Sequence, residues 1–347
     1  MKIDRQQLLA KLASVEPGLS TRQIVEQSTC FVFTNDRLIT FNDEIACSVD
    51  CPELPITGAV QAKPLLEILN RLNEDTITLD VTDTELKFRG QRRRGGVTME
   101  SKIELPIESV EVPKKFRPLN PEFCDGLSLV EKCAGSDENI LLSVCVHIYP
   151  SHLEAYDFRQ VARYRVKTGV KKPMLVRQKS IRHIMSLGMN QIAESRSWLH
   201  FKNPAGLVMS CRRFLMEEVS NNTIDVDQVI DFTGDEVQLP KGISDAAENA
   251  SVFAADNVDD TTVQVSLSRG RVEIEGRGIS GWYQERTKCS YDGDDLVFRI
   301  DPKLLGQIVK EHNTAEVVSN RLKVDTGKFC YVTSLAANNP EDNDEDE

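Results

Sequence analysis

The pattern in this chain that comes nearest to known site chemistry is the run GRGISG at residues 276 to 281, which fits G-x-G-x-x-G and follows the strand-like RVEIE. In a dinucleotide-binding turn such glycines let a pyrophosphate approach the backbone where a helix begins. Here the following WYQERTKCS continues with strand-like residues. The run therefore predicts a glycine-rich hairpin loop, and nucleotide binding is set aside. The five histidines, His147, His152, His183, His200 and His312, form no H-E-x-x-H and no cluster with metal-ligand spacing. Neither the phosphate-loop pattern G-x-x-x-x-G-K nor the nucleophile elbow G-x-S-x-G occurs. The nine cysteines, at 30, 47, 51, 124, 133, 145, 211, 289 and 330, include no C-x-x-C pair. They read as reduced, mostly buried intracellular thiols. An enzyme with an unrecognised site stays open as an alternative.

Basic residues carry more information. Arg5, Lys11, Arg22, Lys63, Arg71, Lys132, Lys179, Arg182, Lys241, Lys303 and Lys310 fall in or beside six helical segments. If those helices share one surface, the chain presents a locally positive lining. The run QRRR at 91 to 94 lies at an expected hairpin turn and reads as a solvated loop within reach of phosphate.

Those segments belong to a threefold repeat of one block order: amphipathic helix, strands, second amphipathic helix, hairpin. First helices begin near Asp4, Asn120 and Pro240, spaced by 116 and 120 residues. Second helices begin near Gln61, Lys179 and Asp301, spaced by 118 and 122. Leu65, Leu66, Ile68, Leu69 and Leu72 recur at helical spacing while Lys63, Asn70 and Arg71 keep the other face polar. Pro64 and Pro302 stand in first turns, where proline is tolerated. Each second helix leads into a period-two hairpin, at 76 to 90, 198 to 212 and 315 to 327. Two helices on one face of an antiparallel sheet, used three times, is an α+β architecture.

The length of 347 residues allows two or three domains, each able to bury a core. Net charge is −12, half of it from the end EDNDEDE at 341 to 347, which is expected to be unfolded. Net sign alone says little about nucleic acid, because phosphate attraction is local and screened within ~10 Å. No apolar run approaches the ~18 residues of a membrane span and no signal-like start is present, so the expected location is the cytoplasm.

Order and length resemble the beta subunit of bacterial DNA polymerase III, the bacterial sliding clamp, over the 340 residues before the acidic end. MKIDRQQLLAKLASV resembles that family's opening helix, and VQAKPLLEILNRLNED with a hairpin ending in LKFRG resembles its domain 1 signature. ELPIESVEVP at 104 to 113 resembles its L-P-x-x-x-F-P segment, with Val110 where phenylalanine is usual. AYDFRQVARYRV at 155 to 166 resembles the A-T-D-G-H-R-L-A stretch: Ala155, Asp157 and Ala162 match, Phe158, Arg159 and Gln160 replace Gly-His-Arg, and Val161 replaces leucine. FCYVTSLAANN resembles the Y-V-V-M-P-M-R-L ending, with Ser334, Leu335 and Ala336 in place of Met-Pro-Met.

The resemblance implies three clamp domains, 1–116, 117–236 and 237–340, and two chains joined head to tail in a ring. It implies Val110 against Val252 and Phe253 at each dimer junction. DNA contact is expected at Arg22, Lys63 and Lys179, which match or align with DNA-contacting basic positions of the family, and at Arg71 and Arg182 beside them on the helices. A partner-peptide cleft is expected at Leu142, Tyr156, Phe158, Val161, Pro302, Thr333, Ser334 and Leu335. The implied partners are duplex DNA, a DNA polymerase and a clamp loader, with no cofactor, metal or catalytic residue. An adaptor of the same architecture that recruits transcription or repair factors remains the alternative.

Overall fold

Asp4 and Asp301 start two helices by the same device. Their carboxylates accept the backbone N–H of Gln7 at 2.8 Å and of Leu304 at 2.9 Å, satisfying a donor that a first turn leaves open. In this computed structural model the helices are α1 (Arg5–Val15), α2 (Ala62–Arg71), α3 (Glu122–Val130), α4 (Gln178–Ile181), α5 (Val226–Ile230), α6 (Ile243–Ala254) and α7 (Pro302–Glu311). The structure describes residues 1–90, 92–219, 224–240, 242–255, 261–318 and 320–335. The acidic end at 341 to 347 and Lys241 lie outside them. Among the described residues no helix is long and apolar enough to cross a membrane.

The chain divides into two compact units, Met1–Cys124 with Gly169–Glu218, and Asp125–Thr168 with Val219–Glu347. In the first, α1 and α2 turn Leu8, Leu12, Leu65 and Leu69 into the core. The strand Ile45–Asp50 pairs antiparallel with Val208–Leu215, placing Cys47 opposite Met209. A strand from the second repeat thus extends a sheet of the first. Trp198 anchors the join: its ring centroid lies 5.9 Å from that of Phe41, and its Nε1–H donates to the Ser109 carbonyl at 3.1 Å.

In the second unit the strand Gln160–Arg165 pairs with the final strand Phe329–Ser334, so the second repeat also shares a sheet with the third. A separate four-stranded sheet runs Gly281–Lys288, Arg271–Gly278, Val263–Ser268, Leu296–Ile300, all antiparallel. One face buries Val263, Val265, Ile274 and Phe298, and α6 packs against the strand Arg271–Gly278. GRGISG is the hairpin turn of this sheet, as its flanking strands predict. Its glycines serve packing: a Cβ at Gly276 would lie 1.9 Å from the Ala250 carbonyl oxygen in α6, and Gly281 sits at φ +152°.

The three expected hairpins form, pairing Leu79 with Phe88, Phe201 with Met209 and Val317 with Leu322. One helix differs from its reading. The segment from Lys179 was expected as a full amphipathic helix, but α4 is a single turn that tightens into a 3-10 turn at Arg182–Met185. Ile181 and Ile184 are buried three residues apart, the 3-10 repeat, and Gly188 at φ +62° turns the chain away soon after.

Candidate DNA-facing helices and partner cleft

The five cations expected to meet phosphate, Arg22, Lys63, Arg71, Lys179 and Arg182, are all exposed in the first unit. Lys63 and Arg71 lie on α2, Lys179 on α4 and Arg182 in the turn after it. Other basic residues on the repeated helices have structural work instead. Arg5 is buried and donates to the carbonyls of Glu74 and Leu69 at 2.8 and 3.2 Å, closing the end of α2. Lys11 pairs with Glu53 at 2.5 Å. Lys132 lies between Glu131 and Asp301, at 3.7 and 3.6 Å. In the run 91 to 94, Arg93 donates to the Arg71 carbonyl at 2.9 Å, so a cation also sits at the negative end of α2.

The expected cleft residues lie in the second unit. Tyr156 and Val161 are buried in one cluster with Val226, Cys330 and Val332, and Leu142 packs against it. His147 holds Leu142 in place by donating from Nε2 to its carbonyl at 2.8 Å, and its ring lies 4.7 Å from that of Tyr156. Burial pushes the His147 pKa down, so the ring stays neutral with its proton on the donating nitrogen. Thr333 is buried opposite Gln160, Ser334 is exposed and Leu335 half-buried. Pro302 is half-buried at the first position of α7.

Phe158 stands apart from that cluster, 80% exposed at the turn between His152–Tyr156 and Gln160–Arg165. Asp157 fixes this turn, its Oδ1 accepting the N–H groups of Arg159 at 2.7 Å and Gln160 at 2.9 Å. An aromatic ring is thereby held in solvent, where it can pack against an apolar side chain of another molecule.

The sequence reading missed α5, whose Val226, Val229 and Ile230 cover the cluster with Phe232. Its signal was present: Asp225, whose carboxylate accepts the N–H of Asp227 at 3.1 Å, precedes apolar residues at i, i+3 and i+4. Arg163 ties this helix down, pairing with Glu154 and, at 2.6 Å, with Asp227, whose carboxyl the guanidinium holds below its usual range. Arg321 and Lys323 each lie 4.8 Å from the Phe232 ring centroid.

The expected junction residues fall in both units. Val110 is only 4% exposed, packed with Leu105 and Trp198, whereas Val112 beyond it is open to solvent. Val252 is 66% exposed on α6, and Phe253 is half-buried.

No family model and no curated protein matches this chain. Solved structures do. The DNA polymerase III subunit beta of Pseudomonas aeruginosa aligns over 97% of this chain and 99% of its own at 15% identity and TM-score 0.69. The DNA polymerase sliding clamp of Bacillus subtilis gives 97% and 99% at 15% identity and 0.72. The DNA polymerase III beta subunit of Thermotoga maritima gives 97% and 98% at 12% identity and 0.70. The chain therefore has the α+β fold of the bacterial sliding clamps over 97% of its length.

Proposed function

We propose, from a fold shared over 97% of the chain with bacterial sliding clamps, that this protein is a DNA sliding clamp. Two copies, each of three clamp domains divided near residues 116 and 236, close head to tail around duplex DNA. The ring tethers a replicative polymerase and catalyses nothing itself. Tethering raises the polymerase's effective concentration at the primer end, so a weak peptide contact suffices for processivity. The observation that carries this reading is the placement of Arg22, Lys63, Arg71, Lys179 and Arg182: exposed on and beside repeated helices of an otherwise acidic protein. Such cations contact phosphates without reading bases, which lets a ring slide.

Polymerase and clamp loader dock on the cleft residues Leu142, Tyr156, Phe158, Val161, Pro302, Thr333, Ser334 and Leu335. Phe158 supplies an exposed anchor where the resembled family has glycine. The usual bacterial clamp motif therefore binds weakly, and a cognate variant binds tightly.

The test is topological. Once loaded onto nicked circular plasmid, the protein should stay bound and then run off when the plasmid is linearised. Equal retention on circular and linear DNA sinks the encirclement reading.

A further inference from the structure

A cavity of about 260 Å³ opens in the first unit, beside the seam where Ile45–Asp50 pairs with Val208–Leu215. Strand register builds one wall. Ile39 stands opposite Ser48 and Ala46 opposite Ser210, so the four share one face of the sheet. The segment after Leu105 builds the other wall. It forms a 3-10 turn, Ile107–Val110, which the Trp198 indole holds through the Ser109 carbonyl. Glu111, at φ +48°, then turns the chain so that Val112 stands 41% exposed at the mouth.

The seam between the second and third repeats is built alike. Gln160–Arg165 pairs there with Phe329–Ser334, and the short helix α5, from the segment that closes the repeat, covers Val161 and Val332. In the first unit the covering turn is likewise short and comes from the segment that closes its repeat. It leaves a gap between Ile39, Ala46, Val110 and Val112.

We propose that this gap is a second docking site for a partner peptide, one that inserts an apolar side chain and sets a carboxylate against Arg37. The proposal rests on the reading of the second-unit cleft as a peptide site, whose construction the gap repeats. Size and charge support the occupant. At about 260 Å³ the cavity lies just under the ~300 Å³ at which pockets for whole small-molecule ligands begin, and it suits one or two side chains. Arg37 Nη2 donates to Ser48 Oγ at 2.8 Å, which fixes the guanidinium in the lining, and its buried Nε has no hydrogen-bond partner among the described residues. Asp50 lies 3.8 Å from that Nε with its side chain 79% exposed, so the pair is weak and an entering carboxylate can replace it. Glu108, exposed on the turn, puts the opposite charge on the other wall. A fatty chain or an anionic cofactor brings nothing to pair with Glu108, whereas a peptide also brings N–H groups or a basic side chain.

The test pans a phage-displayed library of random short peptides against the full-length chain and titrates the selected peptides, fluorescein-labelled, by anisotropy. One class should join an apolar residue to an adjacent Asp or Glu. Val112→Arg, at an exposed position that the fold does not need, should weaken that class by about tenfold or more, as loss of an interface anchor site does. Phe158→Ala should leave it unchanged, and Arg37→Gln should erase its preference for the acid over the matching amide. Absence of any peptide weakened by Val112→Arg overturns the second site, and peptides weakened by Phe158→Ala then keep the cleft reading in place. Peptides that depend on Val112 alone would keep this site and strike the cleft. An acid preference that survives Arg37→Gln overturns the assignment of the carboxylate. A solution mass that halves in Val112→Arg, measured by light scattering, would give the cavity to a second copy of the chain.

Discussion

Val161 stands directly opposite Val332 in the antiparallel pairing of Gln160–Arg165 with the final strand, and both side chains are buried in one cluster. This pair separates support from contact in the proposed cleft. Val161→Asp places an uncompensated charge in the core and should cost about 3 to 5 kcal/mol of stability. Phe158→Ala leaves the fold intact, because the ring is in solvent, yet should weaken the C-terminal peptide of the cognate polymerase by about tenfold or more, as expected of an interface anchor. Calorimetric titration beside a urea unfolding curve measures both. Unchanged peptide affinity in a folded Phe158→Ala protein places the site elsewhere.

The cations are predicted to act additively and without regard to base sequence. Replacing Lys63, Arg71, Lys179 and Arg182 with alanine should weaken binding to unrelated duplexes equally. The slope of log affinity against log salt should become shallower by about 0.9 for each phosphate no longer neutralised by the protein. Lys11→Ala, which removes a partner of Glu53 rather than an exposed cation, should leave that slope unchanged. A quadruple variant with the native slope rules out these residues as phosphate ligands.

Val252 offers a clean probe of the proposed ring, since its exposure within one chain means that Val252→Asp need not disturb the monomer fold. Buried at a junction, the new carboxylate is strongly disfavoured. Light scattering should report the native protein at twice 39.0 kDa and Val252→Asp at 39.0 kDa. A native protein that stays at the single-chain mass at micromolar concentration contradicts the closed dimer.

His200 predicts a pH dependence. Its ring is buried between Ser210 Oγ at 2.7 Å and Ser195 Oγ at 2.9 Å. Burial first, and the nearby Arg213 charge second, lower its pKa from 6.5 to about 4. The folded state therefore holds the neutral ring. Stability is fully present above pH 6.5, falls as the unfolded chain takes up a proton the folded one refuses, and levels off below about pH 4. The full loss is on the order of 3 kcal/mol. Urea midpoints between pH 7 and 4 should show it, and the difference between native protein and His200→Gln should grow toward neutral pH.

Much of this molecule was legible in the residues alone, for reasons that are local. Asp4 and Asp301 announce helices because a cap and an apolar repeat act within one or two turns. The hairpins at 76 to 90, 198 to 212 and 315 to 327 follow from alternation across short turns, and GRGISG reads as a turn from the strand on each side. Exposure of Lys63 and Arg71 follows from the same helical period that buries Leu65 and Leu69. Where local geometry changes pitch, as in the 3-10 turn after α4, that reasoning lost precision.

Only the tertiary structure decided which polar groups are spoken for and which strands share a sheet. Arg5, Lys11 and Lys132 look like Lys63 in sequence, yet their partners Leu69, Glu53 and Asp301 come from distant parts of the chain. The pairing of Ile45–Asp50 with Val208–Leu215, and of Gln160–Arg165 with Phe329–Ser334, joins successive repeats through contacts that no local pattern specifies. Gln264, Glu275 and Arg299 stand side by side for a related reason: strand register across a sheet is set by the burial of its other face, so these residues meet only once that face has packed.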